Sequence, residues 1–134
     1  MSRPGVPNDR VAVTSPEAAA AILKGVLDGL DREHAVALLL DTKHRALTLS
    51  TVSIGTIDHT FLNPREVYRD ALLGNASALV IAHNHPSGDP TPSRDDIAIT
   101  RQLVDAGDLI GVALLDHIII GREQWVSLAP IGAI

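Results

Sequence analysis

The sequence predicts a single α/β domain from its length, its apolar content and the spacing of its apolar residues. Its 134 residues have the length of one ordinary domain, and 46% of them are hydrophobic, which is enough to fill a core. Segments with the apolar spacing of amphipathic helices alternate along the chain with short apolar runs of the kind that form buried strands. Only 2% of the residues are aromatic, so the core should be aliphatic.

A polar segment opens the chain, and the first helix follows it. We expect residues 1–13 to form a flexible N-terminal tail and residues 14–134 to form the domain. Ser15 and Pro16 provide an N-cap and a proline at the first helical position. The helix should end near Gly29. Its apolar residues follow helical spacing and should face inward: Ala19, Ile22, Leu23, Val26, Leu27 and Leu30.

Two strands are predicted next, joined as a hairpin. Residues 35–40 form an unbroken apolar run, which is typical of a strand buried on both faces. The polar residues 41–44 indicate a turn. Residues 45–54 mix apolar and small polar side chains in partial alternation, which favours a strand near the edge of a sheet.

A second helix and a third strand lead to the most informative part of the sequence. Residues 63–66 read Asn-Pro-Arg-Glu, the pattern of a capping box with proline at N1, and Gly74 should end the helix. The apolar residues 78–82 then form a buried strand that runs directly into His83. The inward face of the second helix should carry Val67, Ala71 and Leu72.

The rest of the chain is predicted to contain one helix and two or three short strands. Ser93 begins the helix, and Gly107 should stop it. The final strands are expected at residues 110–115, 117–120 and 124–128. No internal repeat or low-complexity segment is visible in the sequence.

Composition narrows the classes of function. The chain has no cysteine, so any metal ion must be held by histidine, aspartate or glutamate. Its opening residues lack the apolar core of a signal peptide, and no apolar run reaches the roughly 18 residues of a membrane span. We therefore expect a cytoplasmic protein with no membrane partner. A net charge of −5 with scattered basic residues makes nucleic acid an unexpected partner for this domain alone.

His83 and His85 form the core of a predicted metal site at the end of the third strand. Side chains alternate in an extended segment, so both imidazoles should point to one side and reach one ion. A loop rich in proline and glycine turns the chain back, and Asp96, in the first turn of the next helix, can face the histidines. Three ligands leave one position of a tetrahedral zinc ion open, which is typical of a catalytic site. The sequence therefore predicts a Zn²⁺ cofactor.

These residues also have other interpretations. Ser93 and Asp96 alone have the spacing of a capping box. Asp89 could replace Asp96 as a ligand, although its place between a glycine and a proline favours a turn. The general acid or base is either Glu33, at the start of a buried strand, or Glu66, which has a capping role, and we favour Glu33. Four further histidines are each expected to be structural: His34, His44, His59 and His117.

The pattern as a whole resembles the JAMM signature of the MPN+ (JAB) metalloprotease superfamily. The residues that carry this resemblance are Glu33, His83-Asn84-His85, Ser93 and Asp96. A narrower resemblance, to the bacterial RadC family, covers about residues 15–128. It rests on the stretches 52–56, 63–67 and 82–93 and on the pair Asp116-His117.

The resemblance implies a mixed β-sheet flanked by helices, in the JAB/MPN (cytidine-deaminase-like) architecture. It implies zinc bound by His83, His85 and Asp96, with Glu33 as general acid/base and Ser93 stabilising the oxyanion formed when zinc-activated water attacks a carbonyl group. Superfamily members that keep this motif cleave peptide or isopeptide bonds, so we expect a peptide or isopeptide substrate. RadC proteins usually carry an N-terminal helix-hairpin-helix region that contacts DNA. Only a short tail precedes this domain, so we do not expect this domain to bind DNA by itself.

Three functions are compatible with the sequence. The first is a zinc-dependent hydrolase of peptide or isopeptide bonds. The second is a zinc-stabilised protein-binding or DNA-repair-associated module without catalysis, which would recruit partners through an exposed sheet edge. The third is a DNA-processing enzyme, whose DNA binding would depend strongly on salt. Aliphatic strand edges also make a homodimer plausible.

Overall fold

The computed structural model describes residues 10–54 and 62–129. Predictions for residues 1–9, for residues 55–61 with His59, and for residues 130–134 lie outside this part of the chain. Within it, no helix is long and apolar enough to cross a membrane. The elements are α1 (Pro16–Leu27), β1 (His34–Leu40), β2 (Ala46–Ile54), α2 (Pro64–Leu73), β3 (Ala78–Asn84), α3 (Arg94–Ile110), β4 (Ala113–Ile120) and β5 (Trp125–Ser127).

The strands form one mixed sheet in the order β2-β1-β3-β4-β5. β1 pairs antiparallel with both β2 and β3, β3 pairs parallel with β4, and β4 pairs antiparallel with β5. The predicted hairpin is therefore present, and β2 lies at an edge of the sheet as expected. The α/β class, with a mixed sheet flanked by helices, is confirmed.

Helices cover both faces of the sheet, and each face has its own apolar core. β1 and β3 contribute to both cores because their side chains alternate between the two faces. The core under α1 contains that helix's buried residues Ala19, Ala20, Leu23 and Leu27. The core under α2 and α3 contains Val67, Tyr68, Ala71 and Leu103. The two central strands are thus fixed in position by apolar packing on both sides.

Each helix begins at its predicted residue because a side chain caps it. Ser15, Asn63 and Ser93 accept hydrogen bonds from backbone N–H groups two or three residues further along the chain. The C-terminal end of α1 differs from the prediction. This helix ends at Leu27, and Gly29 lies beyond it with a φ of 75°.

The second helix, α2, departs from the prediction at two points. Glu66 pairs with Arg69, one turn further along, at 3.0 Å, and does not complete the expected capping box. The buried face carries Tyr68 in place of Leu72, which is 53% exposed. Tyr68 is buried because it packs toward α3, where its hydroxyl donates a hydrogen bond to the Leu103 carbonyl oxygen at 2.6 Å.

The prediction that α3 stops at Gly107 is wrong, because this glycine has a packing role. The helix continues to Ile110, and Gly111 ends it in the left-handed conformation, with a φ of 82°. A Cβ atom on Gly107 would lie 2.5 Å from the Tyr68 hydroxyl oxygen and 2.4 Å from the Val112 carbonyl oxygen. The missing side chain therefore lets α2 and α3 pack closely together.

The two strands predicted at residues 110–115 and 117–120 are replaced by a single strand, β4, which begins at Ala113 after the end of α3. The residues on either side of Leu115 pair with consecutive residues of β3, so Leu115 is an extra residue, a β-bulge. A one-residue shift reverses the alternation of side chains along the rest of the strand. Leu114 and His117 consequently both face α3, although an unbroken strand would place them on opposite faces.

Residues 11–13 of the predicted tail pack onto the hairpin. The Val13 N–H donates to the His44 carbonyl oxygen at 2.8 Å, and the Ala46 N–H donates to the Val11 carbonyl oxygen at 2.7 Å. The Val13 side chain is buried in the core under α1. This pairing arises because the edge of a hairpin offers backbone groups to a neighbouring segment.

Gly107→Ala should destabilise the domain, although alanine favours a helix more than glycine does. The overpacking against Tyr68 and Val112 should cost about 1–3 kcal/mol, which exceeds the helix-propensity gain of about 1 kcal/mol. Urea denaturation measures the change in the free energy of unfolding. Gly25→Ala, in α1, is the matched control, because a Cβ atom there meets nothing within 4 Å and the variant should gain stability. A stabilised Gly107→Ala variant would contradict the packing role.

Candidate metal centre

Two histidines converge at the C-terminal end of β3. His83 is the penultimate residue of the strand and His85 follows it, and their Nε2 atoms are 3.0 Å apart. The His85 N–H donates to the Ile120 carbonyl oxygen at 2.9 Å, which continues the pairing with β4 past the end of β3. The side-chain alternation expected from the sequence therefore brings both rings to one place.

The loop after His85 orients its ring. Gly88 has a φ of 91°, and a Cβ atom on Gly121 would lie 2.4 Å from the Gly88 carbonyl oxygen, so the loop lies directly against the end of β4. His85 Nδ1 is 2.9 Å from the Asp89 carbonyl oxygen. A carbonyl oxygen can only accept, so Nδ1 carries the hydrogen and Nε2 of the neutral ring has the lone pair.

Asp96 faces both rings from the first turn of α3. Its Oδ1 lies 3.3 Å from Nε2 of His83, and its Oδ2 lies 3.4 Å from Nε2 of His85. A capping box holds it there: the Ser93 N–H donates to Oδ2 at 2.8 Å, and the Asp96 N–H donates to Ser93 Oγ at 3.0 Å.

The charges of Asp96 and His85 depend on each other. Burial opposes ionisation of Asp96, but its interactions with the His83 and His85 rings outweigh burial and hold the pKa of this carboxyl well below its usual range. Asp96 in turn raises the pKa of the His85 imidazole, because its carboxylate accepts a hydrogen bond from the protonated ring, and burial opposes this effect. The centre therefore contains an ionised carboxylate next to a ring that attracts a proton or another cation.

Glu33 reaches the centre from the segment before β1. It is buried, and its Oε1 lies 3.6 Å from His83 Nε2. Asn84 holds this segment in place from the other face of β3. Its side-chain amide donates to the Arg32 carbonyl oxygen at 2.8 Å, and its Oδ1 accepts from the His34 N–H at 2.6 Å. Both neighbours of Glu33 are thus fixed to the end of β3.

The other candidate residues have different surroundings. Glu66 is paired with Arg69 on α2. The Asp89 carboxylate accepts hydrogen bonds from the hydroxyl and the N–H of Thr91, at 2.6 and 3.0 Å, which is the pattern of an Asx turn. Ser93 is exposed at the start of α3, where its hydroxyl oxygen caps the helix next to Asp96. The structure therefore brings Glu33 and Asp96 to the histidines, with Ser93 at the rim.

His117, which the sequence predicts to be structural, lies directly behind His83. Its Nε2 is 2.7 Å from His83 Nδ1, and its Nδ1 is 2.6 Å from Thr100 Oγ1. Complete burial lowers the pKa of His117 well below its ordinary value, so its ring is neutral. The bulge that turns His117 toward α3 cannot be recognised from the pattern of apolar residues in the sequence. The only sequence signal was the pair Asp116-His117 within the RadC resemblance.

These side chains could together hold one metal ion. Glu33, His83 and His85 each offer a ligand atom, and these atoms lie within 4.8 Å of one another. Asp96 adds two oxygens within 3.4 Å of the ring nitrogens. Neutral imidazole nitrogens and carboxylate oxygens repel one another through their lone pairs, and a shared cation converts this repulsion into attraction.

Residues 13–133 match the family model of the RadC-like JAB domain. The chain belongs to this family. A UPF0758 protein of Desulforamulus reducens is 46% identical over 125 residues, which cover 93% of this chain and 55% of that protein. UPF0758 proteins of Bacillus licheniformis and Chloroflexus aggregans are 45% and 46% identical over 124 residues, covering 92% of this chain and 55% and 54% of theirs.

The match confirms the RadC resemblance and the JAB/MPN architecture inferred from the motif. The RadC-like JAB domain spans about half the length of the curated relatives it matches. Their names state no activity.

Asn84→Ala should loosen the segment that carries Glu33. The substitution leaves a partly buried backbone N–H and a backbone carbonyl without their partner, at a cost of about 1 kcal/mol. Hydrogen exchange at the His34 amide should accelerate, and urea denaturation should give the loss of stability. Asn63→Ala removes a side-chain bond to backbone at α2 instead, and should leave His34 exchange unchanged. Unaltered protection of the His34 amide in Asn84→Ala would show that Asn84 does not hold this segment.

Proposed function

We propose that this domain is a zinc-dependent hydrolase that cleaves a peptide or isopeptide bond. The observation that carries the proposal is the convergence of His83, His85 and Asp96 at the end of β3, with Glu33 beside them. Membership of the RadC-like JAB family adds support, because the JAB superfamily includes hydrolases.

The donor set and its spacing suit zinc. Tetrahedral zinc binds imidazole nitrogen at about 2.0–2.1 Å, so its ligand atoms should lie about 3.3 Å apart. The Nε2 atoms of His83 and His85 are 3.0 Å apart, and Asp96 oxygens lie 3.3 and 3.4 Å from them. We assign Asp96 as the third ligand because it faces both rings, whereas Glu33 lies 3.6 Å from one of them. A fourth position then stays open for the reaction.

The remaining residues supply proton transfer and charge stabilisation. Bound zinc would lower the pKa of a coordinated water to about 7 and polarise a carbonyl group. Glu33 is buried next to the centre, so its carboxylate can take a proton from the water and deliver it to the leaving nitrogen. Ser93 uses an oxygen lone pair to cap α3, which leaves its hydroxyl hydrogen to donate to the developing oxyanion.

Replacing both histidines, His83→Ala with His85→Ala, should abolish zinc binding. The purified variant and the wild type are dialysed against the same zinc solution, and bound metal is measured by mass spectrometry. His44→Asn is the control, because it removes an imidazole from the hairpin turn, where asparagine tolerates the φ of 57°. Equal zinc content in the double variant and the wild type would refute the ligand assignment.

Glu33→Gln should keep the metal and lose hydrolysis. Loss of a general acid/base typically reduces the rate by about 10²–10⁴-fold, and a panel of peptides and isopeptide-linked substrates provides the assay. Glu66→Gln is the matched control, a carboxylate on α2 that pairs with Arg69, and should leave the rate unchanged. Full biological activity of zinc-loaded Glu33→Gln would contradict the hydrolase and favour a zinc-stabilised binding module without catalysis.

A further inference from the structure

A buried chain of hydrogen bonds runs behind His83, and counting donors assigns its protons. The Asp96 carbonyl oxygen can only accept, so the Thr100 hydroxyl donates its one hydrogen there, at 2.6 Å. Thr100 Oγ1 must then be the acceptor toward His117 Nδ1, which lies 2.6 Å away. The hydrogen of the His117 ring is therefore on Nδ1.

The same count extends to His83. His117 is completely buried between a hydroxyl and another imidazole, where a charged ring would be costly, so it carries a single ring hydrogen. Its Nε2 is then an acceptor. The atom 2.7 Å from it, His83 Nδ1, must be the donor. This leaves the lone pair of His83 on Nε2, which faces His85 and Asp96.

We propose that His117 and Thr100 are positioning residues that hold His83 in its Nδ1–H tautomer, so that the Nε2 lone pair stays available to a metal ion. This inference rests on the proposed metal site and adds to it the residues that prepare one ligand. The hydrogen bond made by one ring nitrogen of histidine decides which nitrogen can bind metal. The two side chains that hold the His83 tautomer, His117 and Thr100, are neutral, so they add no charge to the buried sheet.

The backbone is shaped to make this contact. The bulge at Leu115 reverses the side-chain alternation of β4, which turns His117 toward His83 and α3. Asp116, next to the bulge, is buried, and its carboxylate accepts hydrogen bonds from the His117 N–H at 2.8 Å, the Ala129 N–H at 3.1 Å and the Ser127 hydroxyl. The His117 backbone is thus held at the position that the chain of hydrogen bonds requires.

The chain also connects two of the assigned ligands. It leads from His83 through His117 and Thr100 to the backbone of Asp96, whose Oδ1 returns to within 3.3 Å of His83 Nε2. The four residues form a closed ring of contacts. A substitution at Thr100 should therefore alter the positions of His83 and of the first turn of α3.

The first test is nitrogen NMR of metal-free protein labelled with ¹⁵N-histidine. We expect both His83 and His117 to carry one ring hydrogen, on Nδ1. A hydrogen on Nε2 of either ring, or two ring hydrogens on His117, would overturn the proposal. This measurement needs neither zinc nor substrate, so its outcome is independent of whether the domain hydrolyses anything.

The second test compares Thr100→Val with Thr100→Ser. Valine removes the acceptor for His117 at similar volume and should lower zinc affinity by about 10–100-fold, with mixed His83 tautomers in the NMR spectrum. Serine keeps the hydroxyl and should restore both. Zinc affinity is measured by competition with a chromogenic chelator. Thr48→Val, an exposed threonine on β2, is the control for the same substitution elsewhere.

Equal zinc affinity and unchanged tautomers in Thr100→Val and Thr100→Ser would overturn the proposal. If Thr100→Val does not fold, the wild-type spectrum and the serine variant decide the matter. Failure of the proposed hydrolase looks different: the wild type binds zinc, its tautomers are as expected, and no peptide or isopeptide bond is cleaved.

Discussion

The site depends on one constraint, the alternation of side chains along β3. This strand is buried on both faces in the middle of the sheet, so its register cannot slip without exposing an apolar core. The alternation continues past the apolar residues, which puts His83 and His85 on the face toward α3 and Asn84 on the face toward α1. The apolar packing of β3 therefore fixes the direction of the polar side chains at its end.

The same alternation brings in Glu33. Ala35 of β1 pairs with His83 and lies on the same face of the sheet. Glu33 precedes Ala35 by two residues, so it lies on that face as well. Asn84 holds the backbone on either side of Glu33, from the opposite face. Glu33 lies in a loop, and its contacts with β3, the strand that carries the histidines, place its carboxylate next to them.

The elements near the site could be predicted from the sequence, whereas the contacts behind it could not. Helix starts depend on local capping, and the direction of His83 and His85 depends on a period of two, so residues close in sequence decide both. The bulge at Leu115 depends on pairing with β3, and the role of Gly107 depends on the approach of Tyr68 from another helix. Both features depend on tertiary packing, and for that reason the sequence alone predicts His117 to be an isolated structural residue.

The capping box and the proposed ligand role of Asp96 are two uses of one carboxylate. Oδ2 accepts the Ser93 N–H at 2.8 Å and lies 3.4 Å from His85, so the group that stabilises the helix start also faces the ring. A negative charge is favourable at a helix N-terminus, which helps to keep Asp96 ionised before any cation binds. The N-terminus of α3 therefore helps to stabilise the charge of Asp96 next to a buried imidazole.

Exposure indicates the side from which the centre is accessible. The side chain of His83 is 2% exposed and that of Glu33 11%, whereas those of Asp96 and His85 are 16% and 18% exposed. The centre thus opens toward the loop that follows His85, where Ser93 is exposed. From this side, a substrate of the proposed hydrolase would reach Ser93, Asp96 and His85 first, because Glu33 and the His117 ring behind His83 are more deeply buried. Burial strengthens the electrostatic interactions of these groups, and the strands and the helix that carry them hold them in place.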